Sequence, residues 1–148
     1  MAVIGAIIWL AVCSIFDIRM RKIPVWLLTV GLVWAIFCEA VRLSALVPLG
    51  QDNVWQEVCK AFISLLPGIF FVAASFLTEG KIGNGDGLIL GILGFMEGFD
   101  PVLFTCGIGL FLQSLVAVVL VIGKRADKQT KLPFVPFLFV ARIIFLCR

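Results

Sequence analysis

Residues 102–123 read VLFTCGIGLFLQSLVAVVLVIG, from Val102 to Gly123 without one charged side chain. About 20 predominantly apolar residues are what a helix needs to cross the hydrocarbon of a bilayer. The run lacks the alternation of a barrel strand, and only structures that satisfy their own backbone hydrogen bonds cross lipid. It therefore reads as a transmembrane helix. Composition extends that reading to the whole chain, whose 148 residues are 62% hydrophobic and 14% charged. Ordinary soluble domains carry about a quarter charged residues, and a water-soluble core of this size cannot hide so much apolar surface.

On either side of this run, charged residues cut the chain into further spans. Span one is Met1 to Phe16, stopped by Asp17-Ile-Arg-Met-Arg-Lys22. Span two starts at Pro24, a residue suited to the first turn of a helix, and runs to about Leu46. Gly50 to Glu57 reads as a polar loop, followed by span three from Val58 to Leu77. After the glycine-rich connection Thr78 to Gly85 comes a short span four, Gly87 to Met96, closed by the turn Glu97-Gly-Phe-Asp-Pro101. Val102 to Gly123 is span five, Lys124 to Lys131 a charged loop, and Pro133 to Cys147 span six. The expected fold is all-α, a polytopic membrane protein of six transmembrane helices forming a single domain over residues 1–148. The first span has no basic segment before it and no small-residue cleavage site behind it, so it is expected to be retained rather than removed as a signal peptide.

The basic residues orient the spans. Cytoplasmic loops are enriched in lysine and arginine. The loops after spans one, three and five hold Arg19, Arg21, Lys22, Lys81, Lys124, Arg125, Lys128 and Lys131, eight of the twelve cations, while the opposite loops carry Asp52, Glu57, Glu97 and Asp100. The three basic loops are expected inside and both termini outside. A net charge of +3 spread over such short clusters offers no solvated basic face for nucleic acid.

The chain contains no histidine, which excludes histidine-based triads and histidine-ligated metals. Its five cysteines, Cys13, Cys38, Cys59, Cys106 and Cys147, form no C-x-x-C pair and read as small buried hydrophobes. A serine nucleophile would need a lysine base, and no Ser/Lys spacing stands out. What remains is carboxylate chemistry. An ionisable group at membrane depth is costly and is a functional hypothesis by default; the candidates are Asp17, Glu39, Arg42, Asp86, Glu97 and Arg142. Glu39 and Arg42, three residues apart, share a helical face and read as an ion pair near the outer end of span two. Arg142 is left open between snorkelling outward and pairing inside the bundle.

Asp17 ends span one and Asp86 begins span four, both at the face assigned to the cytoplasm. Two close carboxylates cannot both ionise easily and share a proton: one activates a water, the other polarises a carbonyl. Asp17, at a helix C-terminus, is expected to start protonated, and Asp86, at an N-terminus, to act as the base. Asp86 follows Gly83-Asn84-Gly85, a tight-turn signal. Gly83, Gly87 and Gly91 recur every four residues, the spacing of small-residue helix packing, and are expected to let span one approach span four.

Ser14-Ile-Phe-Asp17-Ile-Arg19-Met-Arg-Lys-Ile23-Pro24 resembles the first aspartate segment of the type IV prepilin peptidases. Gly80-Lys-Ile-Gly83-Asn-Gly85-Asp86-Gly-Leu-Ile-Leu90-Gly-Ile-Leu-Gly94 is similar to that family's G-x-G-D segment, and Leu132-Pro133-Phe-Val-Pro136-Phe137 to the start of its final helix. The three fall in the family's order. The resemblance implies six helices, Asp17 and Asp86 as the catalytic pair, Gly83 and Gly85 as residues shaping the loop that presents the second aspartate, and no metal or other cofactor. It implies a multi-pass protein of the inner (plasma) membrane that removes the basic leader of a prepilin or pseudopilin, for a type IV pilus or a secretion apparatus. Many larger relatives carry a methyltransferase region with paired Cys-x-x-Cys motifs, which this sequence lacks, so no use of S-adenosylmethionine is expected. A further departure is Leu88, where many relatives have lysine. Presenilin-like intramembrane proteases share a G-x-G-D segment, but their Pro-Ala-Leu motif is missing here. A small transporter or proton-relay subunit using Asp17 and Asp86 is the alternative from another class, although neither inverted repeats nor broken midplane helices are visible. A noncatalytic assembly scaffold is a third.

Overall fold

The computed structural model describes residues 2–20, 23–46, 51–78, 83–123 and 132–147. Among the described residues seven helices follow one another: α1 (Ala2–Met20), α2 (Val25–Leu46), α3 (Gln51–Ser64), α4 (Leu66–Leu77), α5 (Asn84–Glu97), α6 (Phe99–Ile122) and α7 (Val135–Leu146). No strand occurs among the described residues. Helices α3 and α4 follow each other with only Leu65 between them, and Leu65 keeps right-handed helical angles, φ −77° and ψ −19°. The break is caused by Pro67, which has no N–H to give to the carbonyl one turn back. Counted as one run, α3 and α4 reduce the seven segments to the six that the sequence predicts.

The four runs Val3–Met20, Val25–Ala45, Val54–Leu77 and Phe99–Ile122 are long and apolar enough to cross a membrane. Their outward faces carry large exposed side chains such as Ile4, Ile8, Val33, Phe37, Phe70, Phe76, Phe111 and Ile122. So broad an apolar surface is untenable in water; it is the lipid face of a polytopic membrane protein. The other two helices are short. At about 1.5 Å per residue, α5 and α7 reach only about 21 and 18 Å, less than the roughly 30 Å of hydrocarbon. Helix α5 tolerates this because it is wrapped by protein: it packs against α1, α2, α3, α4 and α6. Its Ile89, Leu90, Leu93 and Met96 are completely buried.

Two sets of glycine contacts fix the helices around this axis. At Gly68 of α4, an added Cβ would lie 2.5 Å from the Gly91 backbone of α5, and at Gly87 one would lie 2.8 Å from the Val72 backbone nitrogen. Gly94 is pressed onto the carbonyl oxygen of Ser64. Backbones this close leave no room for a side chain at Gly68, Gly87 or Gly94, as in small-residue packing of membrane helices. The partner differs from the expected one: the glycine face of span four meets α4 rather than α1. The reversal from α5 to α6 takes a single residue, Gly98, at φ +99°, a conformation that L side chains rarely adopt. Between α1 and α2 the fit is reciprocal, with Trp9 against Gly31 and Trp34 against Gly5. The Trp9 indole Nε1–H also donates to the Leu27 carbonyl at 2.9 Å.

Several boundaries shift from the expectation. The predicted loop Gly50 to Glu57 is largely the first turns of α3, which begins at Gln51. Its polar residues belong to an amphipathic helix rather than to a turn. Helix α1 continues past Asp17 to Met20, so the charges mark where the helix leaves the apolar region and not where it unwinds. The loop cations Arg21, Lys22, Lys81, Lys124, Arg125, Lys128 and Lys131 used for the orientation lie outside the described residues.

Candidate active site

Asp17 lies on the inward face of α1. Ala6, Leu10, Cys13 and Asp17 recur every three or four residues and are all buried, Asp17 with only 7% exposed. Its carboxylate is held from another helix: Oδ2 accepts a hydrogen bond of 3.1 Å from the backbone N–H of Val135. Val135 is the first residue of α7, so the donor is one of the amides that a helix leaves unpaired at its N-terminus, where the dipole favours an anion. The start of α7 is itself wedged in place. Phe134 is buried and stacks on Phe71 of α4, with ring centroids 5.7 Å apart and planes 15° from parallel.

Asp86 occupies the first turn of α5. Its N–H closes a turn onto the Gly83 carbonyl at 3.1 Å. Gly83 caps α5 in extended conformation and offers no side-chain cap, and the Asp86 carboxylate lies close against it: a Cβ on Gly83 would come within 2.9 Å of Asp86 Oδ2. Gly85 lies against the far end of the Asp17 segment, since a Cβ there would lie 3.0 Å from Ile23 Cδ1. Ile23 therefore ties the two aspartate segments together, and Asp17 is the charged group that acts on Asp86 electrostatically. Among the described residues, neither carboxylate has a basic partner, and no hydrogen bond joins the two.

Four sequence-predicted positions, Asp17, Gly83, Gly85 and Asp86, thus gather at one end of α5. The expected division of roles between the aspartates loses its electrostatic basis. It took Asp17 to face only a helix C-terminus, whereas the N-terminus of α7 faces its carboxylate. That amide was not anticipated. Its sequence signal is Pro133-Phe-Val-Pro136, since proline so close to a helix start marks where unpaired N–H groups will be. Leu88, at the departure from the lysine of many relatives, is 48% exposed.

One family model matches residues 4–122, which cover both aspartate segments and helices α1 to α6. It describes the type IV leader peptidase family. The chain belongs to that family. Searches of curated proteins and of solved structures returned no match. The matched region of this leader peptidase stops before α7, so the Val135 amide on Asp17 comes from beyond it.

The remaining charged candidates sit apart from the aspartates. Arg42 lies 3.4 Å from Glu39, as expected, and it also donates from Nη2 to the carbonyl of Met96 at 3.2 Å, near the far end of α5. Arg142 turns inward: its Nη2 donates to Glu97 Oε1 at 2.6 Å, and both side chains are almost wholly buried. A cavity of about 330 Å³ lies at this far end, lined among others by Glu39, Arg42, Glu57, Lys60 and Glu97. No group of residues suited to holding a metal ion occurs among the described residues.

Proposed function

We propose that this leader peptidase is an aspartic endopeptidase, with Asp17 and Asp86 as its catalytic pair. In this reading residues 1–148 act as one domain. It removes the basic leader of prepilins or pseudopilins at the cytoplasmic face of the inner membrane, in service of a pilus or secretion apparatus. The observation that carries the reading is the meeting of two acidic side chains, 69 residues apart in sequence, at one end of α5 without a described cation beside either. A structural acid in a membrane protein is normally paired; two unpaired neighbours suit the sharing of one proton.

The chemistry follows from that sharing. The ionised carboxylate takes a proton from a water, whose oxygen attacks the scissile carbonyl carbon. The protonated carboxyl donates to the carbonyl oxygen as it becomes tetrahedral. Collapse of that intermediate returns a proton to the leaving amine and restores the single shared proton. The Val135 amide holds Asp17 in one orientation during these transfers, and Gly83 leaves room for the Asp86 carboxylate to move. Neither step calls for a metal or an organic cofactor.

Coexpression with a leader-bearing prepilin tests the proposal. Asp17→Asn and Asp86→Asn should each abolish leader removal while the protein still inserts in the membrane. Leader removal that persists in either variant would take that carboxylate out of the catalytic role, and a proton-relay reading would then replace the peptidase one.

A further inference from the structure

The Glu97–Arg142 ion pair lies at the end of α5 opposite the aspartates, and the peptidase chemistry leaves it without a role. Both side chains are buried, at 1% and 2% exposure. The Arg142 guanidinium also lies 4.9 Å from the centre of the Phe145 ring. Among the described residues, Glu97 Oε2 and Arg142 Nε and Nη1 have no hydrogen-bond partner. Such an incompletely satisfied pair is a poor source of stability, because apolar side chains of similar volume serve as well or better. What it supplies is direction.

Helix α7 packs chiefly on α1 and α6. Those contacts are apolar, as where Leu138 meets Gly109 and Phe145 meets Phe104, and apolar contact alone resists sliding weakly. Among the described residues, two contacts of α7 to other helices are directional: the Val135 amide to Asp17 and the Arg142 guanidinium to Glu97. Residues 135 and 142 are separated by about two helical turns and share one face of α7. Asp86 and Glu97 are separated by about three turns and likewise share one face of α5. The far end of α5 is itself anchored by Arg42 at Met96.

We propose that Glu97 and Arg142 are positioning residues: their ion pair sets the register of α7 against α5 and so the separation of Asp17 from Asp86. This rests on the aspartic-peptidase reading. A displacement of α7 by a fraction of a turn would carry the Val135 amide, and Asp17 with it, away from Asp86.

The test replaces the pair by apolar side chains, Glu97→Met with Arg142→Leu, and follows two readouts. With a leader-bearing prepilin, kcat should fall about 10- to 100-fold, as expected for a small misplacement of reacting groups, while KM changes less than about twofold. Separately, crosslinking between Gly109→Cys of α6 and Leu138→Cys of α7, which face each other in this register and leave both aspartates in place, should weaken when the apolar pair is present in a background without the native cysteines. Unchanged kcat together with unchanged crosslinking would overturn the proposal. Should the parent chain cut no leader at all, the peptidase reading fails, and the crosslinking result still decides the register. If the apolar pair does not fold, Arg142→Lys keeps the charge with a different reach and loses the fork geometry. A lowered kcat at constant KM then supports the proposal, and full activity overturns it.

Discussion

The two ends of α5 treat their acids in opposite ways. At its C-terminal end Glu97 is matched to Arg142, and neighbouring Glu39 to Arg42. At its N-terminal end Asp86 faces another acid, Asp17, whose described hydrogen-bond donor is a backbone amide. Both ends belong to the same short helix, surrounded by the same apolar shell. Burial of charge is equally costly at either end. The difference teaches that one end neutralises its acids with cations while the other leaves two of them without a described cation, as the proposed proton transfer requires.

The contrast can be broken most directly at the aspartate end. Asp86→Asn should slow leader cleavage by at least about 10³-fold, as loss of a central catalytic group does, yet leave thermal unfolding no lower, because a neutral amide replaces a carboxyl that has no described cation beside it. A drop in unfolding temperature alongside the lost activity, followed by tryptophan fluorescence in detergent, would mean that Asp86 is a structural group after all. At the other end the order reverses. Arg142→Met leaves Glu97 buried without a cation and should cost about 3–5 kcal/mol of stability, measured by unfolding in mixed micelles.

The next effects sharpen the comparison along the shaft of α5. Gly94→Ala pushes a methyl group into the Ser64 carbonyl, whereas at Gly91 an added Cβ would lie 3.9 Å from Gly68 Cα, an ordinary contact. The first should therefore lose about 1–3 kcal/mol by overpacking and the second less than about 0.5 kcal/mol. Equal losses in the same unfolding assay would contradict the close approach of α5 to the end of α3 at Ser64. Smallest of all, Gly83→Ala crowds Asp86 Oδ2 and should lower kcat about tenfold through misplacement of the carboxylate. Gly85→Ala meets only the flexible tip of Ile23 and should change kcat less than about twofold. If both are silent, the Asp86 carboxylate does not rest over Gly83.

Much of this molecule was legible in one dimension because lipid imposes simple rules. Long uncharged runs must be helices, and charges must collect where helices leave the apolar region, which is how Val102–Gly123 and its neighbours could be recognised. Asp17 and Asp86 stood out for the same reason, as acids bordering apolar runs. The start of α3 was not legible, because Gln51 to Glu57 has the composition of a loop and its helicity depends on packing against α5 and α6. The partner of the glycine face was also out of reach, since a stripe of small residues says that a backbone comes close without saying which.

The sequence by itself determined that this is a bundle of apolar helices with acids at a few boundaries, because the cost of burying charge and bare peptide groups in hydrocarbon is local to each segment. Only the tertiary structure decided which acids meet a cation and which meet each other, and that an amide of α7 reaches Asp17. Those outcomes depend on distances between segments far apart in the chain, where directional contacts, not composition, select the partner.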